Sequence, residues 1–322
     1  MTHRYAVLAA VLALLGLGQG AAAQSYPDRT VRIIVPTAAG GSIDTTARVI
    51  AAKLSDLWGK PVVIENRPGA SMITGADAAA KSPADGYTLL VAHDGTTAMN
   101  QAVYPNLPFH AQRDFEPLAM LTAIPLVILV NEKLEAKTLR DLIALAKANP
   151  GKLNHASGGT ATLLALELFK AMAGVDIASI PYRGAAPAVT GTMAGDTQVI
   201  IADLASSAAG RQSGKLRTLA VTTLQRTPQL PEVPTAHEAG VPGYETATWI
   251  GAFAPAGTPK AVVSKIEADI KSALAVADVR ERLERLGMEI RSGSAEELKN
   301  KLEADIQKWS RLVKEKNIKI AQ

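Results

Sequence analysis

VRIIVPTAAGGSIDTTAR, residues 31–48, changes its hydrophobic period half-way along. Val31–Val35 is a short β-branched run flanked by polar residues, the pattern of a buried strand. Pro36 to Gly41 is a turn. From Ser42 the apolar residues Ile43, Ala47, Ile50, Leu54 and Leu57 recur at helical spacing, with Ser42 as the expected N-cap and Gly59 and Pro61 as the stop. A strand that runs into two glycines and then opens a helix has one ready chemical use. The glycines, with Gly41 expected at positive φ, let the backbone approach a ligand. The first helical N–H groups lack intrahelical partners and sit at the positive end of the helix dipole, which suits a carboxylate or phosphate. The turn lacks the Gly-Lys-Ser/Thr ending of a P-loop and does not match G-x-G-x-x-G. A plain βα turn, its glycines serving geometry alone, fits the same letters.

The design recurs. Leu153–Ser157 leads into Gly158-Gly159-Thr160, and Thr160 opens an apolar helix that ends at Gly174. Two such turns, one in each of two domains, can face each other across a cleft.

The flanking chain supplies the frame. Pro61–Glu65 and Tyr87–Ala92 read as strands, separated by the helix-compatible Ala70–Ala80, so βαβ units and a parallel sheet are expected. The segment from His93 to Thr97, Thr96 included, follows a strand end, where open α/β sheets collect ligands. His93 and Asp94 are adjacent on that strand and point to opposite faces, a poor arrangement for a catalytic dyad. Leu118 to Asn131 is a long apolar stretch broken by Pro125, which argues for two strands meeting at a crossover. Thr197–Ala202 is a strand that delivers Asp203, and Thr246–Phe253 reads as the return crossing. Thr138 with Asp141 and Ser294 with Glu297 open later helices as capping boxes.

Residues 1–23 carry a basic start at His3 and Arg4, an apolar run from Tyr5 to Leu17 and an Ala21-Ala22-Ala23 cleavage site. That run is shorter than the roughly 20 residues a bilayer span needs. Export in soluble form is expected. There is no cysteine, which removes thiol catalysis and thiolate metal sites. The net charge of +4 is spread among interleaved acids and bases and aromatics are 4%, so nucleic acid is not an expected partner. The five histidines are scattered singly, no G-x-S-x-G occurs and no pair has metal-ligand spacing. No catalytic residue, metal or cofactor is expected.

Several ordered motifs, PTAAGGSIDTTAR, VVIENRPGA, SPADGYTLL, PYRGAAPAV and WIGAFAPAGTP, resemble those of the substrate-binding receptors of tripartite tricarboxylate transporters, the Bug receptor family. The resemblance runs from about Tyr26 to the C-terminus. It implies a type II periplasmic binding protein, α/β in class, with two α/β domains, a double-crossover hinge and a ligand cleft between them. The domains implied are 24–124 with 250–322, and 125–249, after a signal peptide at 1–23. It implies a monomeric periplasmic receptor that captures a small carboxylate and delivers it to membrane permease subunits or a sensor kinase. The carboxylate can be a di- or tricarboxylate, an aromatic or an amino-acid-like one. An exported enzyme acting on a carboxylate on the same architecture is the alternative. The ligand residues implied are Ala38, Ala39, Gly40, Gly41, Ser42 and Asp44 on the first loop and Ser157, Gly158, Gly159 and Thr160 on the second; Thr96 and Asp203 are expected to join them from their places at strand ends. The chain departs from the family pattern at Leu163, where a histidine is usual, and at Ala202, where an aspartate is usual, with Asp203 beside it.

Overall fold

The computed structural model describes residues 26–182 and 184–318. The expected signal peptide and Arg183 lie outside the described residues. Two α/β lobes share ten strands, in the order β2-β1-β3-β9-β4 and then β4-β7-β5-β6, with β10 and β8 also paired to β4. The strands are β1 Val31–Val35, β2 Val62–Asn66, β3 Thr88–His93, β4 Phe115–Asn131, β5 Asn154–Ser157, β6 Ala178–Pro181, β7 Val199–Asp203, β8 Leu216–Val221, β9 Ala247–Pro255 and β10 Glu289–Gly293. The helices of eight or more residues are α1 Ser42–Trp58, α2 Ile73–Ala80, α3 Leu139–Ala148, α4 Thr160–Ala173, α5 Ala185–Ala194, α6 Lys260–Ala275, α7 Ala277–Glu284 and α8 Ala295–Lys316.

Strand alternation builds a core on each face of each sheet. In the first lobe Val31, Ile33, Val35, Leu89 and Val91 pack on one face under α1 and α6. Ile34, Leu90 and Ala92 pack on the other with Trp249, Phe253 and Leu298 of α8. In the second lobe Ile128, Val130, Val199 and Ile201 take one face, and Val127, Leu129, Ile200 and Ala202 take the other.

The expected parallel pairing holds only within each lobe's βαβ units. β1 runs parallel to β2 and β3, and β5 runs parallel to β6 and β7. Every pair that involves β4 or β9 is antiparallel, because these two strands carry the chain between lobes in opposite directions.

Pro125 does not divide two strands, contrary to the sequence expectation. β4 is continuous, its first part pairing with β9 as far as Pro125 opposite Ala247 and its last part with β7 and β8 from Leu126 and Val127. The proline falls at the seam, after β10 has left at Ala123 and before β7 begins, where β4 exchanges partners; it still stands opposite Ala247 of β9 but has no N–H to give to the ladder. Beside it Thr222 N–H donates to Leu126 O at 3.0 Å, and the single Thr222 hydroxyl proton is shared between Leu126 O, at 3.0 Å, and Thr246 O.

Candidate functional site

Between the lobes lies a cleft of about 950 Å³, at the upper end of ordinary small-molecule pockets. One wall is Pro36–Ile43 with Pro68, Gly69, Ser71, Met72 and His93; the facing wall is Gly158–Thr162, Gly184–Pro187, Asp203 and Ser206. Ile124, Leu126 and Thr248 of the crossing strands form the floor.

Three helix N-termini open into this cleft, and each has a glycine N-cap without a side-chain cap: Gly41 for α1, Gly159 for α4 and Gly184 for α5. Ser42 and Thr160 were the expected caps, and both are instead the first helical residues. The difference has a chemical meaning. A capping hydroxyl would occupy an N–H of the first turn, whereas a glycine cap leaves those donors for an anion. Among the described residues the N–H groups of Gly41, Ser42 and Ile43 find no acceptor, and neither do those of Thr160 and Ala161. The expected positive φ at Gly41 is also not found. Gly41 has φ −78°, and the left-handed position is its neighbour Gly40 at +93°.

Of the residues expected at the site, Ala38, Ala39, Gly40, Gly41, Ser42, Gly158, Gly159, Thr160 and Asp203 line the cleft together. Asp44, Thr96 and Ser157 stand behind it. Asp44, 2% exposed, accepts from Gly40 N–H, Arg48 Nε and Asn66 Nδ2, each at 2.9 Å, and so fixes the first turn from below. Burial alone would raise its pKa, but these hydrogen bonds outweigh it and hold the carboxyl below its ordinary range. Ser157 Oγ bonds Gly159 O at 3.3 Å. Thr96 N–H donates to His93 Nδ1 at 3.1 Å, which leaves the proton of a neutral His93 on Nε2. Burial, partly offset by the charge of Asp203, holds His93 below its ordinary value, so it is neutral at pH 7. Asp44→Ala should lower stability by about 1–2 kcal/mol, as Gly40 and Asn66 lose a buried acceptor while the half-exposed Arg48 turns to water. Urea titration checks this; an unchanged midpoint would mean that the turn holds its shape without Asp44.

His93 and Asp94 part, though not by strand alternation as expected: β3 ends at His93, and Asp94 already has helical angles (φ −54°, ψ −36°) as the N-cap of the next turn. His93 lines the cleft, and Asp94 lines a separate cavity of about 250 Å³ behind it, beneath α8.

The Gly184–Pro187 wall was missed as a site, since PYRG carries one glycine and no doubled turn. A left-handed turn was missed as well. Ala70, Ser71 and Met72 have φ of 45°, 52° and 72°, and each costs about 1–2 kcal/mol over an ordinary helical conformation. No letter in the run announces it.

Residues 46–318 match the family model described as the tripartite tricarboxylate transporter family receptor. The chain belongs to the tripartite tricarboxylate transporter receptor family. The matched span begins at Thr46, so the first glycine turn precedes it. BugT of Bordetella pertussis is 35% identical to this receptor over 323 residues, covering 99% of each chain. Among solved structures, Rpa4515 of R. palustris with adipate superposes with a TM-score of 0.84 at 37% identity, covering 90% of this receptor and 97% of that chain. MatC of Rhodopseudomonas palustris with bound malate superposes at 0.81 and 32% identity, covering 89% and 100%. The enzyme alternative finds no support among these relatives; the periplasmic binding protein BugD also superposes, with a TM-score of 0.82 at 32% identity, covering 91% of this receptor and 99% of that chain. Among the described residues no helix is long and apolar enough to cross a membrane.

Proposed function

We propose that this receptor captures a small carboxylate in the periplasm and presents it, as a monomer, to the permease of a tripartite transporter. Residues 24–124 and 250–322 would move as one domain and residues 125–249 as the other, with the export signal at 1–23. The observation that carries the reading is the meeting of three uncapped helix N-termini in one cleft. Backbone N–H groups and helix dipoles grip a carboxylate with fixed geometry and little conformational loss. The adipate and malate held by relatives are ligands of this chemistry.

Asp203, on the same wall as the α4 and α5 N-termini, and His93, on the facing wall, set the far end of the ligand. Asp203 presents a carboxylate there, held by Ser206 N–H at 2.7 Å and Ser206 Oγ at 2.8 Å. A neutral His93 adds an Nε2–H from the other lobe. A ligand whose far end is a donor suits Asp203 better than a second carboxylate does. Calorimetry with adipate, malate, hexanoate and 6-aminohexanoate tests this. Binding of at least one is expected, with 6-aminohexanoate about tenfold tighter than adipate, a difference of about 1.4 kcal/mol. Saturation at a hundred times Kd should then add about 2.7 kcal/mol of stability. If none of the four binds or raises Tm, the carboxylate assignment fails.

A further inference from the structure

Asn100 is 1% exposed and lines the cleft beside both lobes. Its Nδ2 donates to Ser71 O at 2.9 Å, within the left-handed turn of the first lobe. Its Oδ1 accepts from Thr160 Oγ1 at 3.1 Å, at the mouth of α4 in the second lobe. The polarity of this relay is fixed. A carbonyl oxygen only accepts, so the amide must turn its NH2 to Ser71; its oxygen then faces Thr160, whose hydroxyl must donate. Thr160 therefore has its hydroxyl proton committed across the cleft, and only its N–H remains for an anion. The same region carries an apolar bridge between lobes: Met99, next to Asn100, packs with Leu164 of α4 and with Trp309 and Leu312 of α8.

The turn that the relay reaches is strained and has few other holds. Ser71 Oγ pairs with Tyr104 OH at 2.8 Å, and Thr96 Oγ1 donates to Met72 Sδ at 3.2 Å. Three consecutive L-residues in the left-handed region persist only when their surroundings over-determine them. One of the determining bonds comes from a side chain whose other end depends on the opposite lobe. Ser71 and Met72 both face the ligand space.

We infer that Asn100 is a positioning residue that couples lobe closure to the winding of the Ala70–Met72 turn, so that this part of the ligand wall is set only when Thr160 is docked. With the lobes apart, Asn100 loses its acceptor role, the Ser71 carbonyl is held less firmly and the turn relaxes. Discrimination by Ser71 and Met72 then acts on the closed complex, through the rate of escape more than the rate of encounter.

The inference goes beyond the carboxylate assignment and is tested without any ligand. Hydrogen exchange of the unliganded full chain is followed in the segment 67–75, where Ile73 N–H bonds Ala70 O. Thr160→Val, a near-isosteric change in the other lobe, should speed exchange there about tenfold. Asn100→Ala should do the same, and the double variant should be no faster than either alone. Thr160→Ser keeps the donor and should restore the parent rate. Urea midpoints within the parent's range confirm that the variants are folded. If Asn100→Ala speeds exchange while Thr160→Val leaves it unchanged, Asn100 merely props the turn within its own lobe and the coupling is refuted. Unchanged exchange in both variants refutes it too.

Discussion

Gly158→Val should weaken carboxylate binding at least a thousandfold, about 4 kcal/mol, while the chain still folds. Gly158 has no left-handed backbone to preserve; its difficulty is space. A Cβ there would lie 2.9 Å from Ala185 Cα and 3.0 Å from both Ala185 N and Gly184 C. These are backbone atoms at the opening of α5 and cannot swing aside as a flexible side chain can. Gly158 thus sets how close the α4 and α5 N-termini approach. A branched side chain wedges them apart by several tenths of an ångström, and hydrogen bonds from both to one anion lengthen together. Gly158→Ala should show a smaller loss in the same direction. Gly41→Ala is the contrast, since its Cβ would meet nothing within 4 Å, and its stability should stay within about 0.5 kcal/mol of the parent. Calorimetry with whichever carboxylate the parent binds, and circular dichroism on the same samples, checks the series. Parent-like affinity in a folded Gly158→Val chain would separate the α4–α5 junction from the binding site.

Acid should destabilise the second lobe through His155. Its side chain is fully buried, and Nε2 accepts from Ile201 N–H at 3.1 Å, which places the proton on Nδ1. Among the described residues Nδ1 finds no partner. Burial first, and the nearby Lys170 second, push the imidazole from 6.5 down to about 3. The folded chain therefore refuses a proton that the unfolded chain accepts. The stabilisation is complete above the unfolded value near pH 6.5 and is lost progressively as pH falls toward 3. Over that window the loss is on the order of 4 kcal/mol. Urea midpoints measured from pH 7 to pH 4 should fall steeply in the parent. In His155→Gln, which keeps an acceptor but has no titrating ring, the fall should be shallower by most of that amount. Parallel pH profiles would show that His155 is not the group responsible.

The strand–glycine–helix units were legible because three signals coincide in a few residues: a β-branched run, paired glycines and a change of period. The opening turn and Gly158–Thr160 were found in that way. The two capping boxes, Thr138 with Asp141 and Ser294 with Glu297, form as their spacing implies. Pro125 misled because proline usually ends a ladder, and its position at a partner exchange is a tertiary fact. β10 went unread because Glu289–Gly293 is half-buried and lacks clean alternation. Asn100 carries no local signature at all. A buried amide between two lobes becomes visible only when residues 71 and 160 are brought to it.

The seam at Pro125 has a consequence for timing. If the lobes swing about this seam, Pro125 has no N–H to give up there, so the swing costs one hydrogen bond fewer than at a residue that donates to the ladder. Delay in the departure of cargo would then rest on the grip of the loops on it and on each other. Residence time and swing would be set by different parts of the molecule, and a few changes around the glycine turns would retune the first without disturbing the second.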